Sequence, residues 1–267
     1  MMDSQMLFVP FQRDKHFYVL PKVSPSSSGP AALDFPVPPP ELRAGYSRVT
    51  EEYLANGRRN VQTMLDLLRA SGARLERRTR ILDFGCATGR MIRWLAEFAD
   101  QGEVWGTDIS AEYIVWCAQH LAPPFRFLVN TIVPHLPFED RYFDVVYAGS
   151  VFTHIEDPAQ TWFLELRRVL RAGGKLYVTI HDRHSIDLLT HALPWREVPF
   201  AAFLRQNQDY AEFARTNFAM FTIGRATESQ VFYDGESLCE KLQGLFKVLS
   251  VTEEAYGYQT AVLLEKP

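Results

Sequence analysis

Two acidic residues, each near the end of an apolar run, stand where they could hold a polar ligand. In residues 81–89 (Ile-Leu-Asp-Phe-Gly-Cys-Ala-Thr-Gly), Asp83 follows the first apolar pair. Gly85 and Gly89 then bracket a tight turn that opens a helix. Glycine permits positive φ angles and a close approach of the ligand to the backbone, and a helix start offers unpaired N–H groups. Because a second run ends in Asp108, the spacing predicts a ligand that lies across this turn.

The ligand that suits these residues is an adenosine joined to an amino acid. A dinucleotide-binding turn has its second glycine, which lets the pyrophosphate approach, at the position of Ala87. Asp83 would repel a pyrophosphate, but it can hold a cationic ammonium directly or through water. The two carboxylate oxygens of Asp108 can accept hydrogen bonds from both hydroxyls of a ribose. These preferences indicate S-adenosylmethionine and count against NAD.

Short β-like runs alternate with helical patterns over residues 80–181. Strands are predicted at 80–84, 103–108, 125–130, 143–148 and 175–181, and helices at 89–99, 111–121 and 158–170. Such alternation is typical of a parallel sheet covered by helices on both faces. A helix at 234–243 and strands at 246–253 and 259–265 follow. The predicted fold class is α/β, a Rossmann-like doubly wound and mostly parallel seven-stranded sheet with an antiparallel C-terminal hairpin.

Three segments lie outside this alternation. Residues 1–40, rich in proline and serine toward their end, indicate an N-terminal arm or linker, so the main domain is predicted to span 41–267. Residues 41–70 carry a helical pattern that is predicted to break near 56–57. Residues 182–230 are aromatic-rich and are predicted as a helical insertion after the fifth strand. The insertion could be a lid over the sheet edge or a packing or dimerisation segment.

Residues 45–181 resemble the class I S-adenosylmethionine-dependent methyltransferases of the small-molecule type. Asp83, Gly85 and Gly89 match the first motif of this family, and Asp108 matches its ribose acid. Further matches are Leu136-Pro137-Phe138, Phe143-Asp144-Val145-Val146 and Arg168-Val169-Leu170-Arg171-Ala172-Gly173-Gly174-Lys175-Leu176, with Ala172 where proline is usual. Each motif alone is weak evidence, but their order along the chain makes the resemblance specific.

The resemblance also implies where the cofactor makes its other contacts. Ile109 would pack on the adenine, Asn130 with Thr131 would neighbour the adenine edge, and Ala148 with Gly149 would lie under the methionine end. Asn130 stands where the family commonly has an acid. Its amide oxygen could still accept a hydrogen bond from the adenine amino group, so we expect binding to survive with altered contacts.

Histidines at the predicted carboxyl edge of the sheet are candidates for catalysis. Methyl transfer from a sulfonium mainly requires alignment of acceptor, methyl and sulfur, and an oxygen or nitrogen acceptor also benefits from a general base. His154, just beyond the fourth strand, is the first candidate, with capping or packing of the next helix as the alternative. His181 with Asp182 could form a base and its orienting carboxylate, or His181, Asp182 and His184 could be polar loop residues. We predict no metal site from this spacing.

The amino-acid composition limits the classes of partner that we expect for this chain. The 267 residues carry a net charge of −4, which lacks the basic excess of a nucleic-acid binder, and no Asn-Pro-Pro-Tyr-like segment or Pro-Cys pair of a nucleic-acid methyltransferase is present after the fourth strand. Cys86, Cys117 and Cys239 lie far apart, so neither disulfides nor zinc are predicted. Cys86 lies within the cofactor loop and is more typical of a small buried filler than of a nucleophile. No run approaches the roughly 20 apolar residues that span a bilayer, so we expect a soluble, cytoplasmic protein.

The leading hypothesis is a methyltransferase acting on a small molecule, with O-methyl transfer to a sugar, lipid or secondary metabolite favoured. A non-catalytic binding or partner module with the same fold is the first alternative, since residues 1–40 are compatible with tethering. An NAD-dependent oxidoreductase is the second alternative, opposed by the missing glycine and the early acid. Tyr46, Tyr53 and Arg58 could close over the cofactor from the N-terminal side, and a homodimer is the partner considered beside the methyl acceptor.

Overall fold

A seven-stranded sheet is the central feature of the computed structural model, which describes residues 35–156, 158–224 and 229–267. The strands in the described residues are β1 (Arg80–Phe84), β2 (Glu103–Asp108), β3 (Arg126–Val129), β4 (Phe143–Ala148), β5 (Leu170–Ile180), β6 (Met220–Ile223), β7 (Gln230–Tyr233), β8 (Lys247–Tyr256) and β9 (Gln259–Glu265). The large sheet has the order β3-β2-β1-β4-β5-β9-β8, and β6 pairs separately with β7.

The pairing confirms the predicted fold class. The strands β1 to β5 pair in parallel, and β9 runs antiparallel between β5 and β8. The bounds of β1, β2 and β4 agree with the predicted strands. Because β1 pairs with β2 on one side and with β4 on the other, the strand order reverses at β1, and ligands of open α/β sheets bind at the carboxyl ends of strands at such a reversal.

Helices cover the sheet as predicted, with one difference near the glycine turn. The α-helices of the described residues are α1 (Thr50–Ala70), α2 (Ala96–Ala99), α3 (Ala111–His120), α4 (Ala159–Val169), α5 (Arg183–His191), α6 (Pro199–Gln206), α7 (Gln208–Phe213) and α8 (Gly235–Leu242). The helix predicted at 89–99 is instead a 3-10 turn, Ile92–Leu95, followed by the short α2. Gly89 has a φ of +77°, which a right-handed helix does not accommodate, so the helical turns begin after it.

The break predicted at 56–57 is wrong, because α1 runs without interruption through Gly57. The reason for glycine at this position is packing. A Cβ on Gly57 would lie 2.4 Å from the backbone oxygen of Arg90, so the helix can approach the glycine loop only where it has no side chain.

Two apolar clusters, one on each face of the sheet, explain why the strands are apolar almost throughout. Residues of β1 alternate between the faces, with Leu82 in the cluster that includes α4 and Ile81 in the cluster that includes α1. Strands that are buried on both faces need apolar side chains at consecutive positions. The helix residues buried in these clusters include Val61, Met64, Leu65 and Leu68 from α1 and Trp162, Phe163 and Leu166 from α4.

The insertion after β5 is helical over α5, α6 and α7, as predicted, but its final part contains the strand β6, which pairs with β7 at and just beyond the predicted end of the insertion. Residues 225–228 of the predicted insertion lie outside the described residues. The insertion has its own apolar cluster, in which the rings of Phe221 and Phe232 stack with centroids 4.8 Å apart. The aromatic side chains of the insertion therefore pack largely against one another and against Phe232 of β7.

The described part of the N-terminal segment packs against the glycine loop. Phe35 is buried, and Arg93 donates hydrogen bonds to the carbonyl oxygens of Phe35 and Pro36. The hydroxyl of Thr88 donates to the carbonyl oxygen of Leu42 over 2.7 Å. Residues 35–40, which the sequence assigns to the arm, thus contact the domain. The rest of the predicted arm, residues 1–34, lies outside the described residues.

We predict that Gly57→Ala lowers the free energy of unfolding by about 1–3 kcal/mol, because the new Cβ collides with the Arg90 carbonyl. In an unhindered helix the same change would add roughly 0.5–1 kcal/mol of stability. Urea denaturation of both proteins measures the difference. The exposed neighbour Asn56→Ala is the matched control and should be neutral or slightly stabilising. A Gly57→Ala protein as stable as the parent would contradict the packing assigned to this glycine.

Candidate functional site

The glycine turn lies at the carboxyl end of β1 and has three residues with positive φ. Gly85, Ala87 and Gly89 have φ angles of +80°, +45° and +77°. A Cβ on Gly85 would lie 2.3 Å from Cγ2 of Val151, so this position needs glycine for packing as well as for φ. Ala87 adopts the left-handed conformation, which costs a non-glycine residue roughly 1–2 kcal/mol. This cost accounts for the glycine that dinucleotide-binding turns have at this position.

Asp108, at the end of β2, holds the turn in place. Its Oδ2 accepts a hydrogen bond from the backbone N–H of Ala87 over 2.9 Å, and its Oδ1 accepts from that of Ser110 over 2.8 Å. Burial raises the pKa of Asp108, and these N–H groups act in the opposite direction. A carboxylate has about four acceptor positions, so both oxygens keep the capacity to accept from a vicinal diol.

Asp83 lies buried beside the turn, with 3% of its surface exposed. It stands opposite Tyr147 of β4 in the parallel register. Burial raises the pKa of Asp83 to about 7; a hydrogen bond with the Tyr147 side chain opposes this, the charge of Asp108 adds to it, and the charge of Arg90 opposes it. Among the described residues no ion pair is made by Asp83. An ammonium is the group that would compensate a buried carboxylate in this place.

Arg90 is a site residue that the sequence analysis missed. It is only 3% exposed, its guanidinium lies 4.0 Å from the ring centre of Tyr46 and 5.2 Å from that of Tyr256, and it donates to the Tyr256 hydroxyl. Its Nε has no hydrogen-bond partner, and no ion pair of Arg90 occurs within the described ranges. The sequence does contain a signal for it, namely its position directly after Gly89, because a cation at that position would be buried against the glycine turn.

The residues predicted to contact adenine lie together beyond β2 and β3. Ile109 is 53% exposed although it is apolar, and Thr131 is also exposed. The backbone N–H of Asn130 donates to the Asp108 carbonyl, and its side-chain Nδ2 donates to the Thr131 carbonyl. The Oδ1 of Asn130 is buried without a partner, so it is free to accept from an exocyclic amine.

Around the end of β4, the structure changes the predicted contacts. Ala148 is fully buried in the core on the α4 face, so its side chain does not belong to the site. At Gly149 an added Cβ would lie 2.9 Å from Cε2 of Tyr256, which means that this ring lies against the glycine. Tyr256 and Tyr46 join hydroxyl to hydroxyl. The methionine end of a ligand would therefore meet Tyr46 and Tyr256, which come from opposite ends of the chain.

The thiol of Cys86 faces inward. It is buried, and its Sγ lies 3.5 Å from the Ala87 carbonyl oxygen. Burial and the neighbouring Cys117 raise the pKa of this thiol well above its usual value. A protonated, enclosed thiol is a poor nucleophile, so the packing interpretation of Cys86 agrees with the structure.

His154 is exposed at the carboxyl edge. Its Nδ1 lies 2.8 Å from the carbonyl oxygen of Ser229 and therefore carries the proton, which leaves Nε2 as an acceptor. Desolvation by neighbouring groups lowers the pKa of His154, so the ring is neutral near physiological pH. Both properties are those required of a general base.

The predicted pairing of His181 with Asp182 is wrong. The Oδ1 of Asp182 caps α5 by accepting from the backbone N–H and the hydroxyl of Ser185, whereas both ring nitrogens of His181 are buried without partners. Burial lowers the pKa of His181 to about 3, so it is neutral. His184 turns to Glu253 and Glu254 on β8. These residues share the edge of the sheet but form no catalytic pair.

The described residues contain no group of three or more histidine, cysteine, aspartate or glutamate side chains that could hold a metal ion. None of their helices is long and apolar enough to cross a membrane.

Comparison with known proteins identifies the family. A family model described as a methyltransferase domain matches residues 82–178. A demethylmenaquinone methyltransferase of Lactiplantibacillus plantarum is 30% identical over 165 residues, which cover 58% of this chain and 67% of that protein. The chain belongs to the class I S-adenosylmethionine-dependent methyltransferases. The chain is also 33% identical over 129 residues to a ubiquinone/menaquinone biosynthesis C-methyltransferase of Bordetella avium. This match covers 43% of the chain and 49% of that protein.

Solved structures agree with the fold of the family. A SAM-dependent methyltransferase of Methanosarcina mazei superposes with a TM-score of 0.52 at 20% identity, covering 72% of this chain and 94% of that chain. A 1,6-didemethyltoxoflavin-N1-methyltransferase of Burkholderia thailandensis superposes with a TM-score of 0.51 at 14% identity, covering 80% and 79%. Matches to three of the curated relatives span 37%, 67% and 41% of their own lengths.

The residues of this chain fit the cofactor of the family, S-adenosylmethionine. Three buried polar groups near the glycine turn have capacity left for a ligand: the Asp83 carboxylate makes no ion pair among the described residues, and neither Nε of Arg90 nor Oδ1 of Asn130 has a hydrogen-bond partner there. Their chemistry is complementary to an ammonium, a carboxylate and an adenine amino group. Asp108, with acceptor capacity for a ribose, lies between the turn and Asn130.

We predict that the affinity for S-adenosylhomocysteine rises with pH between about pH 6 and about pH 8, by up to about 10-fold per pH unit below the Asp83 pKa of about 7. The ligand ammonium requires ionised Asp83, and protons compete with it at low pH. Isothermal titration calorimetry measures the affinity.

Since the pKa of Asp83 in the folded protein lies above its unfolded value, the contribution of Asp83 to folding stability should fall as pH rises from about 4 to about 7.

Asp83→Asn should weaken binding and remove this pH dependence, whereas the exposed control Asp100→Asn should keep it. An unchanged pH dependence in Asp83→Asn would show that another group governs the cofactor ammonium.

Proposed function

We propose that this chain transfers the methyl group of S-adenosylmethionine to a small molecule at the carboxyl ends of β1, β2 and β4. The observation that carries the proposal is a set of buried polar groups around one glycine turn, a carboxylate and a guanidinium without ion pairs among the described residues and an unpaired amide oxygen, which matches the polar groups of this cofactor and not those of a dinucleotide. Asp83 and Ala87, which departs from the dinucleotide pattern, lie at its centre.

In this proposal each polar part of the cofactor has one receiving residue. Asp108 accepts from the ribose hydroxyls, and Oδ1 of Asn130 accepts from the adenine amino group while Ile109 covers the base. Asp83 receives the ammonium. Arg90 receives the carboxylate, because a buried guanidinium without an acidic partner is stabilised by an anion. The two charges of the amino-acid moiety thus meet opposite charges that the fold already holds.

S-adenosylmethionine supplies an electrophilic methyl group on a sulfonium. What the chain contributes is alignment and exclusion of water. Tyr46 and Tyr256 are joined by their hydroxyls over Gly149, so they separate the cofactor loop from solvent on the N-terminal side. Their position supports the expectation that the N-terminal helical region closes over the cofactor.

The proposal also specifies the atom that accepts the methyl group, which is an oxygen. Relatives of the chain are named as a C-methyltransferase of ubiquinone and menaquinone biosynthesis and as a malonyl-[acyl-carrier protein] O-methyltransferase, so both carbon and oxygen acceptors occur among them. Transfer to oxygen requires a base, and His154 supports it because its ring is neutral with Nε2 free to accept a proton among the described contacts. The proposal also includes a homodimer, a cytoplasmic location and no nucleic-acid acceptor. Measurement of the oligomeric state, cell fractionation and nucleic-acid binding experiments test these three points.

We predict that the chain binds S-adenosylhomocysteine and that Asp108→Ala weakens binding at least about 10-fold, because two hydrogen bonds to a charged acceptor are lost. Calorimetric titration measures this change. Glu112→Ala, which removes an exposed acid in the first turn of α3, is the matched control and should bind like the parent. Thermal denaturation of Asp108→Ala establishes that the variant is folded, since Asp108 also holds the turn. Equal binding by Asp108→Ala would refute the ribose assignment, and absence of binding by the parent would refute the function.

We predict that His154→Ala leaves the affinity for S-adenosylhomocysteine unchanged and lowers turnover by about 100-fold or more, because it removes the proposed base. Transfer of labelled methyl groups to an accepted hydroxyl compound measures turnover. A base also produces a pH profile that falls as His154 becomes protonated, and this limb should vanish in the variant. Unaltered turnover would assign His154 to structure, through its contact with Ser229.

A further inference from the structure

Ser150, just beyond the carboxyl end of β4, has a backbone conformation that serine rarely adopts. Its φ is +60°, in the left-handed region, which costs free energy for residues other than glycine. Such residues cluster at functional sites, where the surrounding structure imposes the conformation. Ser150 is half-buried and directly follows Gly149, so it lies at the edge of the sheet where the cofactor is expected. Other parts of the chain have to hold it there.

A closed ring of hydrogen bonds holds both the backbone and the side chain of Ser150. Its backbone N–H donates to Oγ1 of Thr179 on β5 over 2.7 Å, and that hydroxyl donates to Oε1 of Gln259 on β9 over 2.7 Å. Nε2 of Gln259 then donates to Oγ of Ser150 over 2.8 Å, and this oxygen also lies 3.2 Å from Oγ1 of Thr153. Thr153 and Thr179 are fully buried, and Gln259 is 4% exposed. Water therefore does not compete for most of the ring.

Every donor in the ring meets an acceptor, and the amide of Gln259 achieves this in one orientation only. A backbone N–H can only donate, so the hydroxyl of Thr179 accepts from Ser150 and gives its own proton to the amide oxygen. The amide nitrogen is left to donate to the Ser150 hydroxyl. A buried network of this kind specifies one geometry, and the loss of one member leaves the remaining polar groups unpaired.

The conformation of Ser150 determines two contacts on the cofactor side of the sheet. On its N-terminal side, Gly149 lies against the ring of Tyr256, since an added Cβ would be 2.9 Å from Cε2 of that ring. On its C-terminal side, Val151 packs on the glycine turn at Gly85. Because Ser150 connects these two residues, a change of its φ would displace both contacts.

The turn between β8 and β9 reaches the end of β4 with two side chains. Tyr256, on one side of the turn, contacts Gly149 and accepts a hydrogen bond from Arg90, which the proposed function assigns to the cofactor carboxylate. Gln259, on the other side, pairs with Tyr256 in the antiparallel register and bonds to Ser150. One turn of the C-terminal hairpin thus holds two consecutive residues of the site.

We propose that Thr179 and Gln259 are positioning residues for the cofactor. Their hydrogen bonds hold Ser150 in the left-handed conformation, and this conformation keeps Gly149 against Tyr256 at the methionine end of the bound cofactor. Neither Thr179 nor Gln259 touches the cofactor itself. The inference rests on the proposed function, because that function places the amino-acid end of S-adenosylmethionine beside Gly149. When the ring is broken, the amino-acid end loses its contacts while the adenosine end keeps its own.

The test compares two ligands of the full chain that differ only at the amino-acid end. 5′-Methylthioadenosine has the adenosine and the sulfur of S-adenosylhomocysteine but lacks its ammonium and carboxylate. Thr179→Val removes the central hydroxyl of the ring and keeps the shape of the side chain. It should weaken S-adenosylhomocysteine about 10-fold and leave 5′-methylthioadenosine unaffected, because Ser150 relaxes toward negative φ. Calorimetry measures the first affinity, and competition with S-adenosylhomocysteine measures the second.

Conservative variants separate the hydrogen bonds from the packing of these side chains. Thr179→Ser keeps the hydroxyl and should bind both ligands like the parent. Gln259→Leu should behave like Thr179→Val, whereas Gln259→Glu should restore most of the affinity, because a carboxyl group can bond both hydroxyls of the ring. The matched control is Thr260→Val, at the next position of β9. The hydroxyl of Thr260 is buried without a partner among the described residues, so its removal should change neither affinity.

Thermal denaturation establishes that each variant is folded. If Thr179→Val and Gln259→Leu bind S-adenosylhomocysteine like the parent, the inference is overturned and the proposed function stands. The inference is equally overturned if both ligands lose affinity by the same factor, since the ring would then support the fold of the whole site and not the position of the amino-acid end. If the parent binds no S-adenosylhomocysteine, the proposed function fails and this inference fails with it.

Discussion

The hydrogen bond from the Ala87 N–H to the Asp108 carboxylate connects the glycine turn to β2, and the site depends on it. Ala87 adopts a left-handed conformation that costs an alanine roughly 1–2 kcal/mol, and a hydrogen bond to a charged acceptor returns about as much. The turn is thereby held at one distance from Asp108. A ligand whose ribose binds Asp108 must then lie across the turn with the rest of its atoms.

Asp83 and Arg90 are buried on either side of this turn without an ion pair between them. Burial of a charged group without an ion pair costs several kcal/mol, so a fold that buries these two groups gains a site of matching charge at the expense of stability. An amino acid has an ammonium and a carboxylate on one carbon and can compensate both. The electrostatics of the turn therefore favour a zwitterionic ligand.

Sequence periodicity was sufficient for the sheet, because parallel strands buried on both faces leave apolar runs of the right length. It also placed Asp83, Gly85, Gly89 and Asp108, whose roles depend on local spacing within one βαβ unit. It failed at Gly57, where glycine serves a contact with Arg90 that lies more than thirty positions away in the sequence. Arg90, Tyr256 and the aromatic neighbours of His181 were missed for the same reason, since their surroundings are built from segments far apart along the chain.

The central claim is that S-adenosylmethionine lies across the glycine turn with its ribose on Asp108 and its amino-acid end between Asp83 and Arg90. A crystal structure of the full chain with S-adenosylhomocysteine tests this claim most directly. We expect both ribose hydroxyls within hydrogen-bonding distance of the Asp108 carboxylate, and the ligand carboxylate on the guanidinium of Arg90. A ligand bound elsewhere, or one whose ribose makes no contact with Asp108, would contradict the account.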